Sequence, residues 1–425
     1  MTPVRIQSLK AIQILDSRGF PTIQVTISVI NSTDPTDNKL YYAKSSVPSG
    51  ASTGKWEALE LRDKDKSNYQ GKGVNKAIEN INQIIAPKLI GQKFNRAMDV
   101  DELMIELDGT ANKSNLGANS TLAVSNAVHR VMAKVAKKEL FEYLREEYFD
   151  YLGEGYEMPR LMCNIINGGA HADSGLDIQE FMIVPKTSNT REEVKIAVEI
   201  YHNLKADLHK DKQVTSLGDE GGFAPQLKNS YEVLDLITKS IQESGYASQC
   251  DIALDVASSE LLDNENGLYK LDGKNLTATE LVTEYNQLIN QYGIISIEDG
   301  LAEDDTEGWR IAKQNIPSNV HQIGDDLFVT NTVRFQNLAL EQNLASGILI
   351  KPNQIGTILE TVQVINLAKS NNYITAISHR SGETGDTLIS DLAVSCNSQF
   401  IKLGAPARGE RVAKYNRLLE IAELI

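Results

Sequence analysis

Between Ile252 and Gly404 one pattern recurs, in which a short apolar run breaks off at charged or hydrogen-bonding residues. Ile252-Ala253-Leu254 stops at Asp255, Ile294 to Ile297 at Glu298-Asp299, and His321 to Gly324 at Asp325-Asp326. Further on, Ile348-Leu349-Ile350 stops at Lys351, Ala376-Ile377-Ser378 at His379-Arg380, and Phe400-Ile401 at Lys402. The endings fall 23 to 43 residues apart, the scale of one strand-helix unit. Unbroken apolar runs between helical segments are the mark of parallel strands covered on both faces. Charge at the carboxyl end of each strand is explained at once by a (β/α) barrel with its site on the C-terminal face. A doubly wound sheet with polar strand caps is the competing architecture.

The chain before this stretch reads differently. Ile23, Val25, Ile27 and Val29 alternate with Gln24, Thr26 and Ser28, the period of a half-buried strand in an antiparallel sheet. Asn31 to Asn38 then forms a turn around Pro35. Val47 to Gly54 is a run of small and hydroxyl residues with two glycines, which is either a loop able to approach a ligand closely or an ordinary solvent turn. Helical spacing of apolar residues covers Lys76 to Leu89 and Thr121 to Leu144. Glycines and a proline between Tyr151 and Pro159 mark a boundary, giving two expected domains, residues 1–145 and 146–425. In the second, Leu161 to Ile166 and Phe181 to Val184 are its first strands, separated by the glycine-rich loop Asn167 to Gly175 that carries His171. An amphipathic helix, Glu192 to His209, precedes a glycine turn holding Asp219 and Glu220.

Composition narrows the class. The 425 residues carry 42 Lys and Arg against 57 Asp and Glu, a net charge of −15. Such a surface repels nucleic acid and anionic membrane and accommodates a divalent cation or basic partner. Cys163, Cys250 and Cys396 form no spacing motif, so they are expected as core thiols in a reducing compartment. Neither a signal peptide nor an apolar run of membrane-spanning length is found, and a soluble cytoplasmic protein is the expectation.

Asp255, Glu298 and Asp325 each end a separate strand, so a barrel directs three carboxylates to one place. Gathered like charges need neutralising, and hard oxygen ligands suit Mg²⁺; the same acids could instead cap the following helices. Lys351 follows three aliphatic residues. Burial there lowers a lysine pKa and fits it for base chemistry, unless the side chain snorkels to solvent. His379, Arg380, Ser381 and Lys402 add cations and donors suited to a small, multiply charged anion, phosphate or carboxylate.

An ordered set of segments spans nearly the whole chain: Leu15 to Gly19, Ser49 to Gly54, Glu57 to Asp63, Asn164 to Gly169, Gln179 to Ile183 and Gly218 to Gly222. It continues through Ala253 to Glu260, Ser296 to Asp305, Lys351 to Thr357, Ser378 to Thr384 and Gly404 to Arg408. This set resembles the enolase family. The resemblance implies an α/β chain with a three-stranded α+β capping domain, then a barrel whose first units depart from strict alternation. It also implies reversible dehydration of 2-phosphoglycerate to phosphoenolpyruvate with two Mg²⁺ per active site. Lys351 would be the base and Glu220 the acid, with Glu180 and His171 beside them. Asp255, Glu298 and Asp325 would hold one metal, and Ser52 would close over the substrate and ligate the second. Arg380 and Ser381 would contact phosphate, Lys402 the carboxylate side, and His379 a further part of the substrate. A relative within the wider superfamily, or a protein of this fold with an added or sole partner-binding role, are the other readings.

Departures from the family pattern lie away from this chemistry. Phe20, Leu403 and Gly409 replace polar residues, Gln24 stands for an acid, and Ile12 and Glu420 each stand for a base. Both ion pairs of the family dimer, one through Gln24 and Glu420 and one through Ile12 and Glu410, thereby lose a partner. A homodimer or higher oligomer with a weakened or more apolar interface is expected.

Overall fold

The computed structural model describes residues 2–33, 39–50, 54–172 and 174–425. Strands β1 (Val4–Leu15), β2 (Pro21–Asn31) and β3 (Leu40–Ser46) form an antiparallel sheet, with the central β2 burying Ile23, Val25, Ile27 and Val29. The expected three strands are joined by a two-residue fourth, β4 (Lys93–Phe94), paired with the start of β1. Helix Ala118–Ala136 packs across this sheet.

One helix was expected over 121–144, and two are found, Ala118–Ala136 and Leu140–Tyr148. Lys137 takes a left-handed conformation (φ 57°) that ends the first, and Glu139 with Glu142 forms a capping box that starts the second. Neither glycine nor proline marks the break.

The remaining chain closes an eight-stranded barrel from β5 (Arg160–Asn167), β6 (Glu180–Pro185), β7 (Cys250–Asp255), β11 (Ile294–Glu298), β12 (His321–Gly324), β13 (Gly347–Ile350), β14 (Ile374–Ser378) and β15 (Phe400–Lys402). Between β7 and β11 a small sheet of β8 (Leu262–Asp263), β9 (Leu268–Leu271) and β10 (Lys274–Leu276) is inserted, which explains the longest interval in the repeat. Strand β6 runs antiparallel to both neighbours, while the other barrel pairs are parallel.

The apolar runs bury both their faces. Met162, Met182, Ala253, Ile323, Leu349, Ala376 and Phe400 fill the barrel interior, and alternate residues such as Leu254, Ile348 and Ile401 pack outward under the helices. All three cysteines are buried and free, as expected. No helix among the described residues is long and apolar enough to cross a membrane. The capping sheet is tied to the barrel by Ser49 and Gly382, which exchange backbone hydrogen bonds of 2.7 and 2.9 Å.

Candidate active site

A cavity of about 40 Å³ at the C-terminal end of the barrel strands is lined by His171, Glu180, Glu220, Asp255, Asp325, Lys351, His379, Arg380, Ser381 and Lys402. Glu298 lies directly behind, fully buried. Every expected site residue but one therefore converges; Ser52 lies outside the described residues.

Strand polarity explains a placement that the repeat alone does not. Because β6 is antiparallel, its first residue, Glu180, sits at the end of the barrel where the parallel strands finish. It pairs in register with Asp255, which pairs on its other side with Glu298. Three carboxylates thus stand in a row on adjacent strands. Lys402 Nζ reaches all of them, at 2.7 Å from Asp255 Oδ2, 3.0 Å from Glu298 Oε1 and 3.1 Å from Glu180 Oε1. Burial opposes charge on Lys402, but Asp255, Glu180 and Glu298 outweigh it and hold the ammonium well above the ordinary lysine range. Burial pushes Glu298 up, reinforced by Asp255 and opposed by Lys402.

Lys351 corrects an expectation. Burial does favour its neutral form, but the ion pair with Asp325 prevails and raises its pKa above the ordinary value, whereas Arg380 and Lys402 push the other way. The partner lies 26 residues away in the chain, beyond what the local run of aliphatic residues reveals.

Further acids crowd this wall. Asp299, Asp325 and Asp326 bring ligand-type oxygens within 4.8 Å of one another. Asp299 accepts the backbone N–H groups of Asp325 (2.9 Å) and Asp326 (2.8 Å). Burial and then Asp325 push Asp326 up to about 7. The surplus of buried negative charge fits a divalent cation. Of the expected ligand set, Asp255 and Asp325 line the pocket and Glu298 lies behind it, and Lys402 and Lys351 between them pair with all three.

Opposite, His171 Nδ1 is 3.6 Å from both Glu180 Oε1 and Glu220 Oε1. Burial pushes Glu180 well up, with Glu220 adding to it and Lys402 opposing. For Glu220 burial is outweighed by the histidines and Arg411, so it is held low. Two buried carboxylates thus face one histidine, with Glu180 pushed up and Glu220 held low.

Arg380 is gripped by Glu57 of the capping segment, with Nη1 to Oε2 at 3.0 Å and Nη2 to Oε1 at 3.2 Å. Glu57 also accepts the backbone N–H of Gly54 (3.1 Å). Gln354 donates to Asp325 Oδ1 at 2.8 Å and accepts from Thr330 at 2.7 Å, fixing that carboxylate. Sequence alone gives Glu57, Gln354 and Arg411 no role; Glu57 and Gln354 fall within matching segments, whereas Arg411 lies on the last helix, past the last of them.

An eight-stranded barrel with one reversed strand, a capping sheet and an acidic wall facing cations defines a class of two-part α/β proteins with a charged pocket at the barrel end. The comparisons agree: residues 6–144 match the family model for the enolase N-terminal domain and residues 155–425 that for the enolase C-terminal TIM barrel domain. The chain is 48% identical to the enolase of Helicobacter hepaticus over 423 residues, covering 98% of this chain and 96% of that one. It is equally 48% identical to the enolase of Helicobacter pylori strain G27 over 421 residues, covering 98% and 95%. The chain belongs to the enolase family. Membership makes it a lyase, a phosphopyruvate hydratase of glycolysis, in a family that depends on Mg²⁺.

Proposed function

We propose that this pocket performs the reversible dehydration of 2-phosphoglycerate to phosphoenolpyruvate with Lys351 as base and Glu220 as acid. The observation that carries the reading is that Lys351 and the Glu180–Glu220 pair line one cavity, with Arg380, Ser381 and Lys402 on the same walls. The proton removed lies beside a carboxylate and is very weakly acidic, so the dianion it leaves needs concentrated positive charge.

Lys351 takes the proton once it is neutral, and Arg380 and Lys402 favour that form against Asp325. Glu220, beside His171 and the raised carboxyl of Glu180, protonates the departing hydroxide. Arg380 and Ser381 hold the phosphate, Lys402 faces the carboxylate end, and His379 contacts a further part of the substrate. Asp255, Glu298 and Asp325, with Ser52, would hold two Mg²⁺ per site, which when bound supply charge that stabilises the dianion. Residues 1–145 act as the cap and 146–425 as the catalytic barrel. The protein works in the cytoplasm as a homodimer or larger oligomer.

The test is phosphoenolpyruvate absorbance from 2-phosphoglycerate, with and without Mg²⁺, in the wild type and in Lys351→Ala. Metal-dependent product that vanishes in the variant is expected. No product from folded, metal-loaded wild type would leave a protein of this fold whose role is to bind a partner.

A further inference from the structure

We propose that Arg411 is a positioning residue that fixes His379 as its neutral Nε2–H tautomer and aims that proton at Glu220. The proposal rests on the assignment of Glu220 and His379 to the site.

Arg411 is fully buried on the first turn of helix Gly409–Ala422. Its Nη1 lies 2.7 Å from His379 Nδ1 and donates to the Arg380 carbonyl at 2.6 Å. Its Nη2 donates to the carbonyls of Ser381 (2.6 Å) and Asp219 (3.2 Å). A guanidinium has donors alone and keeps its protons. At 2.7 Å, His379 Nδ1 must be the acceptor. The ring's one proton is then on Nε2, which stands 3.2 Å from Glu220 Oε2. An imidazolium would set an N–H against the guanidinium.

The surroundings hold this arrangement in place. The charged and titratable groups acting on the ring are Glu220, Arg411 and Glu383. The His379 backbone N–H donates to the Lys402 carbonyl at 3.0 Å. Gly404, at φ +77°, packs so tightly that a Cβ there would fall 2.9 Å from His379 Cε1. Burial first, and then Arg411, depress the ring's pKa to about 4, with Glu220 opposing.

The consequence concerns Glu220. Asn164 Nδ2 donates to Oε2 at 3.1 Å, and His379 Nε2 stands 3.2 Å from the same oxygen, so Oε2 faces two neutral N–H groups. Oε1, on the His171 side, is left for proton exchange. The same guanidinium ties the turn His379 to Ser381 to the turn carrying Asp219 and Glu220, which sequence places about 160 residues apart. His379 is thus a fixed neutral ring whose Nδ1 is taken by Arg411, not a base.

Magic-angle-spinning NMR of the full-length protein labelled with ¹⁵N and ¹³C at its six histidines reads tautomers directly, with His379 assigned by its absence in His379→Gln. A protonated Nε2 and bare Nδ1, unchanged from pH 6 to 8, is expected. An Nδ1–H tautomer or an imidazolium at pH 7 overturns the proposal. This readout needs no turnover, so it stands or falls separately from the assigned reaction. In Arg411→Met the ring is expected to mix tautomers and titrate, with kcat down about tenfold or more and KM little changed, and Arg411→Lys to restore the tautomer. A folded Arg411→Met that keeps the wild-type tautomer and pH behaviour overturns the positioning role; should that variant fail to fold, the wild-type spectrum decides.

Discussion

Ile12 and Gln24 stand directly opposite each other on β1 and β2. Two of the four positions at which the family dimer would carry interface charge are therefore neighbours here, and both are uncharged. Ile12 is 45% exposed. On the last helix, Glu420 is engaged by Arg417 of the same chain at 3.3 Å, and Glu410 Oε1 is a buried oxygen without a hydrogen-bond partner. Self-association in this chain is expected to be little affected by salt, because each of the two family ion pairs has lost a partner. Ile12→Arg should restore the base that the family dimer places opposite Glu410 and lower the dimer Kd about tenfold at low salt, an effect fading at high salt. Sedimentation across a salt series measures both; a tight wild-type dimer that dissociates with added salt would contradict the expectation.

Much of the barrel could be read from its rhythm, because an apolar run that ends in charge reports both strand and polarity of the face. The reversed β6 could not. Strand direction leaves no trace in Phe181 to Val184, and only the pairing of Glu180 with Asp255 shows why an acid at the start of a strand joins acids at the ends of others. The acids themselves were legible; their partners were not. Lys351 looked like a lysine with a lowered pKa because Asp325 is distant in sequence, and the pair reverses the direction. Arg411 had no local signal, since its meaning lies in four acceptors brought by two other segments.

The acidic wall predicts linkage between metal and stability. Mg²⁺ that binds the folded state alone, at about a hundred times its Kd, stabilises by roughly 2.7 kcal/mol. Asp325→Asn removes a carboxylate from the expected set and should abolish most of this gain. Thermal unfolding with and without Mg²⁺ tests it independently of activity. An identical Mg²⁺-dependent rise in Tm in both proteins would place the metal elsewhere.

The Glu57–Arg380 pair joins cap to barrel with both side chains nearly buried, at 6% and 5% exposure. Breaking such a pair leaves a charge without its balance and costs about 3 kcal/mol. Glu57→Gln should lower Tm accordingly and raise KM for the phosphorylated substrate about tenfold, with a smaller change in kcat, since the loss is in holding the anion. A reduced kcat at unchanged KM would assign Glu57 to the chemical step instead.

Glu193 supplies a prediction far from the pocket. It is 4% exposed at the start of helix Thr190–Lys210 and accepts the Thr187 N–H at 3.3 Å. Burial pushes its carboxyl from 4.5 up to about 7, with the Thr187 hydrogen bond and Arg160 opposing. The folded state therefore binds this proton more tightly than the unfolded chain does. The stabilisation is fully present below pH 4.5 and is lost as pH rises through about 7. Glu193→Gln mimics the protonated form at all pH values. Relative to wild type it should be more stable by about 3 kcal/mol at pH 8, with the gap closing as pH falls toward 5. Denaturant titrations at the two pH values decide, and a gap that is absent at pH 8, or that widens on acidification, would show that the ionised carboxylate is accommodated without penalty.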